Sequence, residues 1–168
     1  MAKLRFTAPF ISVARDHGSG EVVLDDLGRA VVRWDLDDDV DLRLAIRANV
    51  ELAKLHRAAG AAEIHTLHTD GVRWRRGDDF DGFVARIESA SYEPNDIVCF
   101  TAHQMGSCRM GSDPETSVAD GRGELHDTKG VWIGDASAFP TAPGVNPMIS
   151  IMSLAHRTAE NIVGDSRS

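Results

Sequence analysis

The apolar periodicity of this chain stops near Ile97, and that break constrains the fold more than any other feature of the sequence. Before it, short β-branched runs and two stretches of helical spacing alternate with Gly/Asp punctuation. After it, glycines, small residues and polar groups crowd together until one last periodic stretch begins near Pro147. Residues 1–96 therefore read as scaffold, and residues 97–168 as the part that carries chemistry.

Within the scaffold, the run from Pro9 to Ala14 and the runs Glu21-Val22-Val23-Leu24 and Ala30-Val31-Val32-Arg33-Trp34 predict an antiparallel meander. Residues 39–59 then place Val40, Leu44, Ala48, Leu52 and Leu55 on one stripe, with Asp39 as the expected N-cap and Gly60 as the stop. A short strand is expected over 62–67. A second amphipathic helix is expected over 79–90, with Phe80, Phe83, Val84 and Ile87 on one side, followed by the loop Tyr92-Glu93-Pro94-Asn95. The fold class these elements predict is α+β, an antiparallel sheet with helices on one face.

The 168 residues are 42% apolar, enough for a real core in a chain of single-domain size. Twenty-six acidic side chains against eighteen basic ones give a formal charge of -8, and no Lys/Arg stripe is present to neutralise phosphates, which argues against a nucleic-acid partner. The acidic cluster over 35–41 reads as a loop and helix start. With only Cys99 and Cys108, and no apolar run after Met1-Ala2-Lys3-Leu4-Arg5, the expected compartment is reduced and cytoplasmic. No apolar run approaches the roughly 20 residues of a transmembrane segment.

Three pieces of the second half stand out. In Thr101-Ala102-His103-Gln104-Met105-Gly106-Ser107-Cys108-Arg109-Met110-Gly111, the glycines allow close backbone approach to a flat ligand or a second segment, and His103 is either a base near neutral pH or a hydrogen-bonded structural residue. Next, Val131-Trp132-Ile133 reads as a buried strand ending in Gly134-Asp135-Ala136-Ser137. There Asp135 either holds a ligand hydroxyl or caps a turn through its side chain. Last, in Gly144-Val145-Asn146-Pro147-Met148, Asn146 reads as the cap and Pro147 as the first residue of a helix over 148–162. Met148, Met152, Ala155, Ala159 and Ile162 share one face of that helix, and its N-terminus favours an anion.

In this order and spacing, the three pieces resemble the C-terminal signature of the glucose–methanol–choline (GMC) flavin oxidoreductases, most closely the long-chain (fatty) alcohol oxidases. Ser12-Val13-Ala14-Arg15-Asp16 with Gly18-Ser19-Gly20 resembles that group more loosely. The resemblance implies FAD as cofactor and an alcohol as substrate. It implies that His103 is the active-site histidine next to flavin N5, and that Asn146 binds the substrate oxygen and also touches the cofactor. It further implies that Asp135 lies at the ribityl–pyrophosphate region, with Ala136 and Pro147 near the flavin through their backbone. The last strand and the C-terminal helix would then complete a flavin-binding domain.

The Gly-rich G-x-G-x-x-G fingerprint of such a domain is not found here, and Gly18-Ser19-Gly20 and Gly121-Arg122-Gly123 read as turns. The expected partner is therefore an N-terminal FAD-binding polypeptide or segment. The alternatives are a truncated, non-catalytic remnant and a module for an apolar ligand or a protein partner. No metal site is expected: a period-2 strand puts His65 and His68 on opposite faces, and His103 with Cys108 lacks a second ligand pair.

Overall fold

The computed structural model describes residues 4–34, 36 and 38–165. Met1, Ala2 and Lys3 lie outside the described residues, as do Asp35 and Asp37 of the acidic cluster. The elements in order are β1 (Glu21–Leu24), β2 (Ala30–Arg33), α1 (Asp39–Ala58), β3 (Glu63–His65), β4 (Arg73–Arg75), α2 (Phe80–Ser89) and α3 (Met148–Asp165), with a 3₁₀ turn at Ala136–Ala138. The class is α+β, as the periodicities predict. By its contacts the chain divides into two compact units, Met1–Gly18 with Trp34–Phe100, and Ser19–Arg33 with Thr101–Ser168.

The first unit is built on α1. Asp38, one residue before the predicted cap, accepts hydrogen bonds from the Val40 and Asp41 amides, and acidic residues in the first turn suit the positive end of the helix. The helix ends before Gly60, which takes φ of +82°, open to glycine without strain. Asp79 caps α2 in the same way through the Asp81 amide. Val50 and Ala53 of α1, Ile64 of β3, Trp74 of β4, and Phe80, Phe83 and Ile87 of α2 form one buried cluster.

The expected stripe of α1 is corrected here. Val40, Leu44 and Leu55 are exposed, and the buried apolar positions are Val50 and Ala53. Periodicity detects a stripe, but α1 carries two, and its α2 and β3 neighbours cover the second.

Of the expected meander, β1 and β2 form a two-stranded antiparallel sheet, and the strand expected over 62–67 forms as β3 in a second two-stranded sheet with β4. In the first, Val22 pairs with Val32 and Leu24 with Ala30 across a turn in which Asp25 accepts from the Leu27 and Arg29 amides. In the second, Ile64 pairs with Trp74. The expected strand over 9–14 does not form, because that arm is fastened to α1 at two points instead. The Phe10 ring stacks on His56 at 3.9 Å, and the His17 and Gly18 amides donate to buried Asp41 at 2.7 to 3.0 Å. Burial alone would raise the Asp41 carboxyl, but these donors and the His17 ring outweigh it and hold the group below its ordinary value.

The second unit has a different interior. Its buried residues, among those described, are Ala119, Gly123, Ala138, Pro147 and Thr158, all small or compact. Backbone bonds do much of the work that side chains do in the first unit: Leu125 N to Val131 O at 2.9 Å, Ile133 N to Gly123 O at 2.8 Å, and Asp120 N to Glu124 O at 2.8 Å. Gly123 takes φ of +100° and lies so close to α3 that a Cβ there would meet Thr158 Oγ1 at 2.7 Å. The expected buried strand at 131–133 is only an extended segment with a single bridge, Glu124 to Trp132, and Val131 is exposed. Gly130 and Gly134 bound it closely, and the 123–125 segment pairs one side of it.

Candidate active site

The pieces that carry the candidate residues all fall in the second unit. Two of them are joined residue by residue. Gly106 N donates to Ala136 O at 3.2 Å, Cys108 N to Ser137 O at 3.0 Å, and Met110 N to Ala138 O at 2.9 Å. Three alternate amides of the first piece thus meet three consecutive carbonyls of the second. Gly106 at φ of +79° lets the chain enter this zipper, and a Cβ there would touch the Phe139 carbonyl at 3.4 Å. The third piece begins at α3, which is tied to the same unit by Thr158 Oγ1 donating to Ile133 O at 3.3 Å and Asn161 Nδ2 donating to Arg122 O at 2.9 Å.

His103 is half-buried. Its amide donates to Thr101 Oγ1 at 3.1 Å, and Gln104 Nε2 donates to Thr101 O at 3.0 Å, a local turn that fixes the backbone on both sides of the imidazole. The ring itself makes no hydrogen bond to another described residue. Asn146 is exposed, and its side-chain amide is likewise uncommitted among the described residues. Pro147, not Asn146, occupies the cap position of α3, since its carbonyl accepts the first helical bond from Ile151 N at 2.8 Å. The predicted start is thus shifted by one residue. Pro147 is buried, has no N–H to give, and has one carbonyl lone pair left.

Of the two readings left open by the sequence, the structure shows Asp135 capping a turn through its side chain. Its Oδ1 accepts from Ser137 N at 2.8 Å and from Ser137 Oγ at 2.5 Å, and Oδ2 has no partner among the described residues. The Ser137 hydroxyl first, and its amide second, hold the carboxyl below the ordinary aspartate value against a small opposing effect of burial. The Ala136 carbonyl is taken by Gly106 N and Phe139 N.

The face of α3 with Met148 and Met152 is the exposed one, at 66% and 61%, while Thr158 is buried on the other side. Sequence reasoning passed over Ser137, Thr101 and Thr158. For Ser137 the signal was available, an Asp-x-Ser spacing at a turn, whereas Thr158 contacts a residue 25 positions away and leaves no local trace. Gly121-Arg122-Gly123 is a turn as expected, with Asp120 Oδ1 accepting from the Arg122, Gly123 and Glu124 amides.

The sequence profile of the family described as GMC oxidoreductase matches residues 16–155. The long-chain-alcohol oxidase FAO1 of Arabidopsis thaliana is 34% identical over 171 residues, covering 96% of this chain and 22% of that protein. FAO3 of the same plant is 37% identical over 164 residues, covering 93% and 21%.

Among solved structures, pyridoxine 4-oxidase from Mesorbium loti shares the fold with a TM-score of 0.57 at 20% identity, over 88% of this chain and 28% of that one. The chain belongs to the GMC oxidoreductase family and corresponds to its C-terminal domain. It spans about 22% of the length of the long-chain-alcohol oxidases it resembles.

Proposed function

We propose that this chain supplies the catalytic residues and part of the flavin-facing surface of an FAD-dependent oxidoreductase acting on the CH–OH group of alcohols, long-chain alcohols among them. An N-terminal FAD-binding polypeptide or segment would complete it. The observation that carries this reading is the three-bond zipper between residues 106–110 and 136–138, which registers the His103-bearing piece against the Asp135-bearing piece in a chain of this family.

The residues fit a flavin on chemical grounds. Asp135 Oδ2 is free to accept from a polyol hydroxyl, the α3 N-terminus favours negative charge, and exposed Met148 and Val145 offer apolar cover beside it. Bound FAD supplies the hydride acceptor. His103 accepts the proton of the substrate hydroxyl, and the uncommitted Asn146 amide holds the oxygen as the C–H hydride departs, leaving a carbonyl product. The His103 ring has no hydrogen-bond partner among the described residues.

The test is anaerobic flavin reduction by alcohol in the completed flavoprotein. His103→Ala should slow it by about 10²–10⁴-fold, the range of general acid–base groups. An unchanged rate would remove His103 from the role of base.

A further inference from the structure

Among the described residues, three aspartates cap helical turns, and one of them is built differently. Within those residues the Asp38 side chain accepts from the Val40 and Asp41 amides, and the Asp79 side chain from the Asp81 amide. Asp135 accepts the Ser137 amide and, on the same oxygen, the Ser137 hydroxyl. Capping does not need that hydroxyl, as the other two sites demonstrate. What it adds is orientation, because two bonds to Oδ1 from one residue fix the rotation of the carboxylate and leave Oδ2 as the free acceptor. Ser137 is itself held in register, since its carbonyl accepts from Cys108 N in the middle of the zipper.

We propose that Ser137 is a positioning residue, which fixes the Asp135 carboxylate so that Oδ2 is presented to a hydroxyl of the polyol chain of the cofactor. This rests on the proposed function, in which Asp135 meets the cofactor. The geometry also couples that contact to the segment carrying His103: the residue that orients the carboxylate is bonded through its backbone to the 106–110 segment. The charge state agrees, as both influences that lower the Asp135 carboxyl come from Ser137.

The experiment has two arms. In the chain itself, the side-chain carboxyl of Asp135 is titrated by ¹³C NMR in the wild type, Ser137→Ala and Ser137→Thr. In the flavoprotein completed by its FAD-binding polypeptide, FAD affinity is measured for the same proteins and for Asp135→Asn. Ser137→Ala should move the carboxyl titration up toward 3.8, and Ser137→Thr, which keeps the hydroxyl, should stay at the wild-type value. FAD affinity should fall roughly 10-fold in Ser137→Ala, the effect of losing one charge-assisted hydrogen bond, and should be restored in Ser137→Thr.

If Asp135→Asn loses FAD while Ser137→Ala keeps the wild-type titration and affinity, the positioning role is wrong and the cofactor contact stands. If Asp135→Asn binds FAD as tightly as wild type, the cofactor contact is wrong, and the positioning proposal falls with it.

Discussion

The two units of this chain are held together by different means. In the first, Phe83 and Ile87 are fully buried and pack with Trp74, Phe80, Ile64, Val50 and Ala53, a side-chain core of ordinary kind. In the second, the buried residues are small, and large apolar side chains such as Met148, Ile149, Met152 and Val32 face outward. Turns, a backbone zipper and a glycine pressed against α3 organise it. Hydrophobic burial scales with area removed from water, so the first unit carries a side-chain core of its own, whereas the second leaves Met148, Ile149 and Met152 uncovered. The unit with the better core holds none of the candidate chemistry. The candidate residues sit in the unit whose buried residues are small.

The largest expected effect separates the units directly. Phe83→Ala should cost about 3–5 kcal/mol and abolish hydrogen-exchange protection in α1 and α2, while leaving the 106–110 zipper amides protected. Equal loss in both units would show that they unfold as one body.

Next comes Gly123→Ala, in which a Cβ would meet Thr158 Oγ1 at 2.7 Å and Ile133 O at 3.1 Å at a φ of +100°. A loss of about 1–3 kcal/mol is expected, read as weakened protection of α3 with α2 unaffected.

Acid should act on the first unit in two windows. His68 is buried, and burial, opposed by Asp70, lowers its imidazole below the ordinary 6.5. The stability this neutral histidine contributes is present above 6.5 and is lost as pH falls through the folded value. The Asp41 carboxyl is lowered from 3.8, so its contribution is present above 3.8 and is lost as pH falls through its own folded value. Denaturant midpoints from pH 8 to pH 2 should therefore decline in two steps, and Asp41→Asn should make the lower one smaller.

The smallest effect is expected at Met152, 61% exposed on α3. Met152→Lys should change the stability of the chain alone by no more than about 0.5 kcal/mol, yet weaken assembly with the FAD-binding polypeptide, measured by co-purification.

Much of the first unit was legible in the sequence because its helices are local objects. The capping aspartates and Gly60 mark their ends to within a residue or two. The covered face of α1 was not legible. The stripe through Val40, Leu44 and Leu55 and the one through Val50 and Ala53 have equally good spacing, and the choice between them is made by Ile64, Trp74 and Phe83 elsewhere in the chain. Strands of three residues, such as β4, leave too short an alternation to be read as strands from the sequence. In the second unit, the three motif pieces announced themselves by composition. The zipper that joins two of them is made of backbone amides and carbonyls, which every sequence possesses, and so it left no signature.

The most direct test combines this chain with a polypeptide carrying the Gly-rich FAD-binding fingerprint and follows the flavin absorbance anaerobically as a long-chain primary alcohol is added. The account predicts that the flavin bands are retained only when both polypeptides are present, that alcohol bleaches them, and that the chain alone holds little or no FAD. A monodisperse chain that binds FAD on its own with micromolar affinity, or a flavin-loaded pair that no alcohol reduces, would contradict it.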